Sequence, residues 1–247
     1  MTDQVIPALD LFQGSKIYDN FLKSFLNYQN FKPDLNQKEV SEAIYFHLCK
    51  MKYAGWQHRV NFNRAIKHSM SEIFQDLIAF YLKVCLPLDL YDVELEVKEG
   101  KLRPDIVIRK NKKYHFILEM KTNIGFDRNG PASGDFDLRI NELSKAFDVP
   151  KENIIYVFEE HSNVSKEFSK MYWDLDKNIP NPLRPKNRPY SAIYPLFHST
   201  DPYYWKSEIK IDKRNKFIDI RDEDIKHRAS MSIVTPFEEI LKLIQSC

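Results

Sequence analysis

Apolar positions along the chain recur first at helical spacing, then at alternating spacing, then at helical spacing again. Ile17, Phe21, Leu22, Phe25 and Leu26 fall three to four residues apart, and Asn36 with Glu39 has the capping-box spacing that opens a helix from Lys38 to Met51. A third helix is predicted from about Asn63 to Val84. There Ile66, Met70, Ile73, Phe74, Leu77, Ile78, Phe80, Tyr81 and Val84 line a broad stripe that Pro87 ends, and the opposite side carries Glu72, Gln75, Asp76 and Ala79. The period then drops to two: Val93, Leu95 and Val97 interleave with Asp92, Glu94, Glu96 and Lys98, as in a strand with one wet face, until Gly100. Ile106 to Ile108 and Tyr114 to Met120 follow as two strands joined through Lys110-Asn111-Lys112-Lys113, whose length and polarity suit a tight hairpin. The second of these strands is apolar on both faces, hence central.

After a glycine-rich polar loop, Phe136 to Phe147 has helical periodicity through Leu138, Ile140, Leu143 and Phe147, closed by Pro150. Ile154 to Phe158 is then a short buried strand. Helix, three strands, helix and strand in that order (α-β-β-β-α-β) predict an α/β sandwich with a mixed central sheet flanked by helices. Six prolines between Pro180 and Pro202 exclude long helices, so Asn178 to Tyr204 reads as extended and loop-rich. Ile209 to Ile211 and Phe217 to Ile220 suggest a hairpin. Thr235-Pro236-Phe237-Glu238 has an N-cap hydroxyl, a proline at the first position and a capping-box glutamate, and opens a terminal helix through Leu243.

The 247 residues, 43% of them hydrophobic, suffice for a single domain. Its parts would be an N-terminal helical layer (1–62), a core (63–160) and a loop-rich C-terminal elaboration (161–247). With 37 basic against 35 acidic residues, no global field draws the protein to nucleic acid, so any such contact must be a local patch. Three scattered cysteines suit neither a disulfide framework nor a zinc cage, which points to a reducing compartment. Without a leader pattern or a long apolar run, the expectation is a soluble, cytoplasmic protein with no membrane association.

Pro104-Asp105-Ile106-Val107-Ile108, followed thirteen intervening residues after Asp105 by Glu119-Met120-Lys121, resembles the P-D…(D/E)-x-K signature of the PD-(D/E)XK nuclease superfamily. The likeness extends over residues 69–158, including the order of elements. It implies a restriction-endonuclease-like core and hydrolysis of phosphodiester bonds. E-x-K spacing recurs at Glu96-Val97-Lys98 and Glu208-Ile209-Lys210, but neither has an upstream aspartate across a hairpin. With the turn centred on Asn111 and Lys112, residue numbers across the hairpin sum to about 223, which sets Asp105 opposite Leu118, or Glu119 for a three-residue turn. Period two then puts Glu119 and Lys121 on one face.

That face offers what phosphodiester hydrolysis requires. The carboxylates of Asp105 and Glu119, with the backbone carbonyl of Met120, suit Mg²⁺ (or Mn²⁺), and Lys121 suits orienting water or stabilising transition-state charge. In the superfamily the preceding helix often adds an acid. Glu72 is favoured here over Asp76, with Gln75 as a less favoured neighbour. Of the seven histidines, only His115, placed by alternation on the face of Glu119, bears watching. Basic residues that could grip phosphate fall in three groups: Lys101 to Lys113, including Lys112 and Lys113; Arg184, Lys186 and Arg188, followed by Tyr190, Tyr194, Tyr203, Tyr204 and Trp205; and, more weakly, Arg64 and Lys67 with His58 and Arg59. The expected activity is a Mg²⁺-dependent endonuclease of restriction or defence type, acting on DNA rather than RNA, with a homodimer as a candidate assembly. The alternatives are a non-catalytic nucleic-acid-binding module of the same fold, or a nuclease for RNA or branched DNA in repair.

Overall fold

The computed structural model describes residues 40–49, 51, 71–123, 135–160, 173–174, 179–180, 192–197, 229 and 232–247. The expected helix at residues 17–26, the start of the third helix with Arg64 and Lys67, the basic residues Arg184, Lys186 and Arg188, and the hairpin after Ile209 lie outside these.

A helical segment at residues 40–49 precedes α1 (Ser71–Cys85), β1 (Tyr91–Leu95), β2 (Ile106–Lys110), β3 (Lys113–Asn123), α2 (Asp135–Phe147), β4 (Ile154–Glu160), the short pair β5 (Trp173–Asp174) and β6 (Ile179–Pro180), β7 (Ile193–Phe197) and α3 (Phe237–Ser246). Five strands form one sheet in the order β1-β2-β3-β4-β7, so β3 is its middle strand. The first two pairings are antiparallel and the last two parallel. The α/β class, the mixed sheet and the order of its first six elements follow the sequence pattern.

Two apolar layers cover the sheet. On one face, helical segment 40–49, α1 and α3 pack over Ile106, Ile108, Phe116, Leu118, Met120, Ile155 and Val157. On the other, Phe136, Ile140, Leu143 and Phe147 of α2 pack over Val107, Ile117, Ile154, Tyr156 and Phe158, and the Phe136 ring stacks on Tyr156 at 4.2 Å. Burial of each such side chain contributes roughly 1.5–3 kcal/mol before entropy is counted. The stripe on α2 thus runs through Phe136 instead of Leu138, which is 59% exposed. The helix ends in a Schellman turn: Asp148 takes φ 52° and the Val149 N–H returns to the Ser144 carbonyl.

Four further expectations need correction. β1 ends at Leu95, because Glu96 adopts φ 52°, so Glu96-Val97-Lys98 is not strand. A further E-x-K, Glu99-Gly100-Lys101, closes a tight turn in which Glu99 and Leu102 exchange both backbone hydrogen bonds and Gly100 supplies φ 62°. The proline-broken stretch contains a fully buried strand, β7, which tolerates Pro195 because it borders the sheet. At α3 the expected capping box does not form. Thr235 Oγ1 and Glu238 Oε1 make no hydrogen bond, and the Phe237 N–H instead donates to Ser41 Oγ at 2.8 Å, a cap lent by helical segment 40–49. Among the described residues, no helix is long and apolar enough to cross a membrane.

Candidate active site

The β2–β3 hairpin fixes the centre of the site. Its turn has Asn111 at φ 51° and Lys112 at φ 67°, the two left-handed residues of a type I′ connection, whose twist matches that of the flanking strands. Near the turn the pairing is Lys110 with Lys113 and Arg109 with Tyr114, and beyond a bulge it becomes Ile108 with Phe116 and Ile106 with Leu118. The extra residue at the bulge is His115. That one-residue shift brings Asp105, just past the end of β2, level with Glu119, so a two-residue turn yields the adjacency that simple counting assigns to a longer one.

Asp105 joins the strands through its carboxylate and its carbonyl. Oδ2 accepts the Met120 N–H at 2.6 Å. The backbone oxygen accepts both the Glu96 N–H at 3.1 Å and Nε2 of Gln75 on α1 at 2.9 Å. Because a strand residue presents its N–H and C=O along the same edge, the Met120 carbonyl also lies on the Asp105 side. Met120's side chain enters the opposite core layer, leaving Glu119 and Lys121 on the α2 face.

Glu119 is only 5% exposed. A carboxylate at such a position requires a partner, and Arg139 of α2 provides one: Nε and Nη2 both donate to Oε1, at 3.1 and 2.9 Å, while Nη2 also reaches the Arg103 carbonyl at 3.3 Å. Burial raises the Asp105 carboxyl above its ordinary range, against the Met120 N–H and the charges of Lys121 and Arg139, which lower it. Burial likewise raises Glu119, with Asp105 adding to the effect and Arg139 and Lys121 opposing it. Asp105 therefore acts on Glu119, and the two cations oppose the rise of both.

On α1, the side expected to face solvent is divided. Glu72 and Asp76 are exposed, whereas Gln75, only 9% exposed, and Ala79 are buried. Gln75, less favoured than Glu72 from the sequence, is the residue that reaches Asp105. Asp76 is raised by partial burial and by the charges of Glu72 and Glu96, and Glu96 also raises Asp105, so an acidic flank borders the site. His115 is also corrected: the bulge turns it to the other face, where its Nε2 meets the Ile244 carbonyl at 2.8 Å and its ring lies 5.9 Å from that of Tyr91.

Lys112 and Lys113 occupy the far end of the hairpin. Lys112 is seven positions from Asp105, about 23 Å at the rise of a strand. Lys101 and Arg103, in the β1–β2 connection, are the exposed members of that basic run beside Asp105. Tyr194, one of the proposed stacking aromatics, is buried in the layer with α1 and α3. Arg139 is the residue beside the pair that the sequence does not signal, since one arginine on the polar side of an amphipathic helix carries no information until the partner it faces is known.

Two carboxylates and a neighbouring backbone carbonyl fit Mg²⁺, which binds through one or two carboxylates and keeps several waters. Among the described residues, no group of three or more histidine, cysteine or acidic side chains that could hold a metal is present. The fold and site thus define an α/β chain with two neighbouring carboxylates and two cations where the end of β2 meets the middle strand. Comparison with known proteins finds no matching family model, no matching curated protein and no matching solved structure.

Proposed function

We propose that this chain is a Mg²⁺-dependent nuclease that hydrolyses phosphodiester bonds, with DNA the favoured substrate and restriction or defence the favoured role. The observation that supports this reading is the meeting of a half-buried Asp105 and a buried Glu119, both raised, beside Lys121 and Arg139. Asp105, Glu119 and the Met120 carbonyl would hold the metal. The ion would supply an acidified water and neutralise charge on the scissile phosphate.

The remaining work falls to the protein. The Met120 N–H and the Gln75 amide fix Asp105 by its carboxylate and its backbone, so one acid is oriented before substrate arrives. Lys121, on the same face as Glu119, orients the attacking water or stabilises the charge that builds on phosphorus. Arg139 opposes the burial that raises Glu119 and aligns its carboxylate.

One observation favours a second reading. Oε1 of Glu119 is already engaged by a guanidinium, as it would be in a nucleic-acid-binding module that keeps the fold without turnover. The two readings separate on incubation with plasmid, single-stranded, branched and RNA substrates in Mg²⁺, beside Asp105→Asn. A nuclease cleaves at least one substrate, and both EDTA and Asp105→Asn abolish the cleavage. Undiminished cleavage in EDTA, or full activity in the variant, would sink the assignment.

A further inference from the structure

Arg139 places two donors on a single oxygen. Nε and Nη2 fill both lone-pair positions of Glu119 Oε1, so a cation that takes this oxygen, the one nearest the guanidinium, competes with Arg139 for it. Charge counting makes the competition stronger. With both acids ionised, Asp105 and Glu119 are balanced by Lys121 and Arg139, and a divalent ion adds two positive charges that a phosphodiester and an attacking hydroxide would offset. A guanidinium released from Glu119 then stands beside the anion that the loaded site attracts.

The helix that bears Arg139 is suited to such an exchange. Phe136, Ile140, Leu143 and Phe147 are buried against the sheet, so the backbone at Arg139 is anchored. The long side chain stays 29% exposed, in contrast to 7% for Glu119. A planar fork of donors fits a carboxylate and a phosphate equally well, so changing partners requires pivoting of the side chain and no rebuilding of the helix.

We propose that Arg139 is a partner-exchanging, phosphate-positioning residue, held by Glu119 in the metal-free site and turned to a non-bridging phosphate oxygen when the site is loaded with metal and nucleic acid. The proposal rests on the nuclease reading and adds a coupling to it: metal at the acid pair releases the group that grips substrate. By linkage, removing the competitor strengthens metal binding, and the phosphate contact exists only in the loaded state.

The test uses the full chain, Arg139→Gln and Arg139→Lys, with Ca²⁺ as a metal expected to bind without cleavage. Calorimetric titration of Ca²⁺ without nucleic acid should show tighter binding to Arg139→Gln, by about threefold to tenfold, since a competing positive charge has gone. Binding of a mixed-sequence DNA duplex, followed by anisotropy against salt, should show a log–log slope lower by about one unit for Arg139→Gln in Ca²⁺, and equal to the parent's in EDTA. Arg139→Lys, which keeps the charge and is the milder change at a helix surface, should retain the parent slope in Ca²⁺, and loss of its slope would overturn the proposal. Unchanged Ca²⁺ affinity in Arg139→Gln, or an unchanged slope in Ca²⁺, overturns the exchange while leaving the nuclease reading intact. A parent chain that takes up no divalent cation overturns both.

Discussion

The carboxylate of Asp105 accepts the backbone N–H of Met120 at 2.6 Å, and this bond joins the end of β2 to the residue between Glu119 and Lys121. A side chain here takes the place of the next rung of the ladder. The strands are held together where they would otherwise separate, and the acid is oriented by the same bond. Neighbouring residues inherit their positions from it: Glu119 level with Asp105, Met120 in the opposite core, Lys121 back on the face of Glu119.

Stability should report the acid pair directly. A carboxyl raised in the folded state binds its proton more tightly there than in the unfolded chain, so its stabilising contribution is full below the ordinary carboxylate range and is lost as pH rises toward the raised value. At neutral pH and without metal, Asp105→Asn should therefore melt above the parent, because its amide oxygen still accepts the Met120 N–H while a half-buried charge is gone. Mg²⁺ at a hundredfold its Kd should stabilise the parent by about 2.7 kcal/mol, or roughly 5–10 °C, and leave Asp105→Asn unmoved. Thermal melts across pH, with and without Mg²⁺, check both effects. A metal shift of equal size in the variant would place the ion elsewhere.

Lys121 should separate from the carboxylates in kinetics. Lys121→Ala is expected to lower the single-turnover rate on the order of a hundredfold or more, as loss of a preorganised electrostatic partner does. Its metal affinity should hold or rise, since a neighbouring positive charge is absent. Asp105→Ala loses both. Cleavage by Lys121→Ala at the parent rate would reduce Glu119-Met120-Lys121 to an ordinary strand end.

The helix residue that completes the site is open to a paired comparison. Gln75→Ala removes the amide from the Asp105 carbonyl, at a cost of about 1 kcal/mol, and should lower the melting temperature by roughly 2–4 °C. Its turnover should also fall as Asp105 loses orientation. Glu72→Ala, at an exposed position, should change stability by no more than about 0.5 kcal/mol. If Glu72→Ala abolishes cleavage and Gln75→Ala does not, the acid favoured from sequence is restored.

The basic residues should sort by location. Replacing Arg184, Lys186 and Arg188 together by alanine should flatten the salt dependence of DNA binding, by roughly one log–log unit for each phosphate that is no longer neutralised. Lys112→Ala with Lys113→Ala, at the far end of the hairpin, should leave the slope unchanged. A slope that responds to the second pair alone would move the nucleic-acid path to that end of the sheet.

The hairpin is legible in the sequence because its signals are local: a polar turn, two apolar runs and a strand apolar on both faces. Its register is readable only to within one residue, since the bulge at His115 depends on what packs beneath it, and that single slip moves a histidine from the site to the opposite core. The roles of Gln75 and Arg139 are hidden for a related reason. A helical wheel assigns an amide or a guanidinium to a polar side by default, and only the fold supplies the Asp105 carbonyl or the Glu119 carboxylate that each one meets. β7 is masked by Pro195, which argues against a strand until its place at the border of the sheet is known.

The hydroxyl of Ser41 holds the first amide of α3 across 196 positions of chain. Closing so long a loop is entropically costly, and contacts of this separation form after local ones have narrowed the search. The order of assembly follows. The β2–β3 hairpin, whose partners are near neighbours in sequence, can form early and carry the acid pair with it, while helical segment 40–49 and α3 meet only on a surface that the sheet has already built. The acid pair thus sits in a hairpin of short-range contacts, and the clasp from Ser41 to Phe237 is a contact of long range.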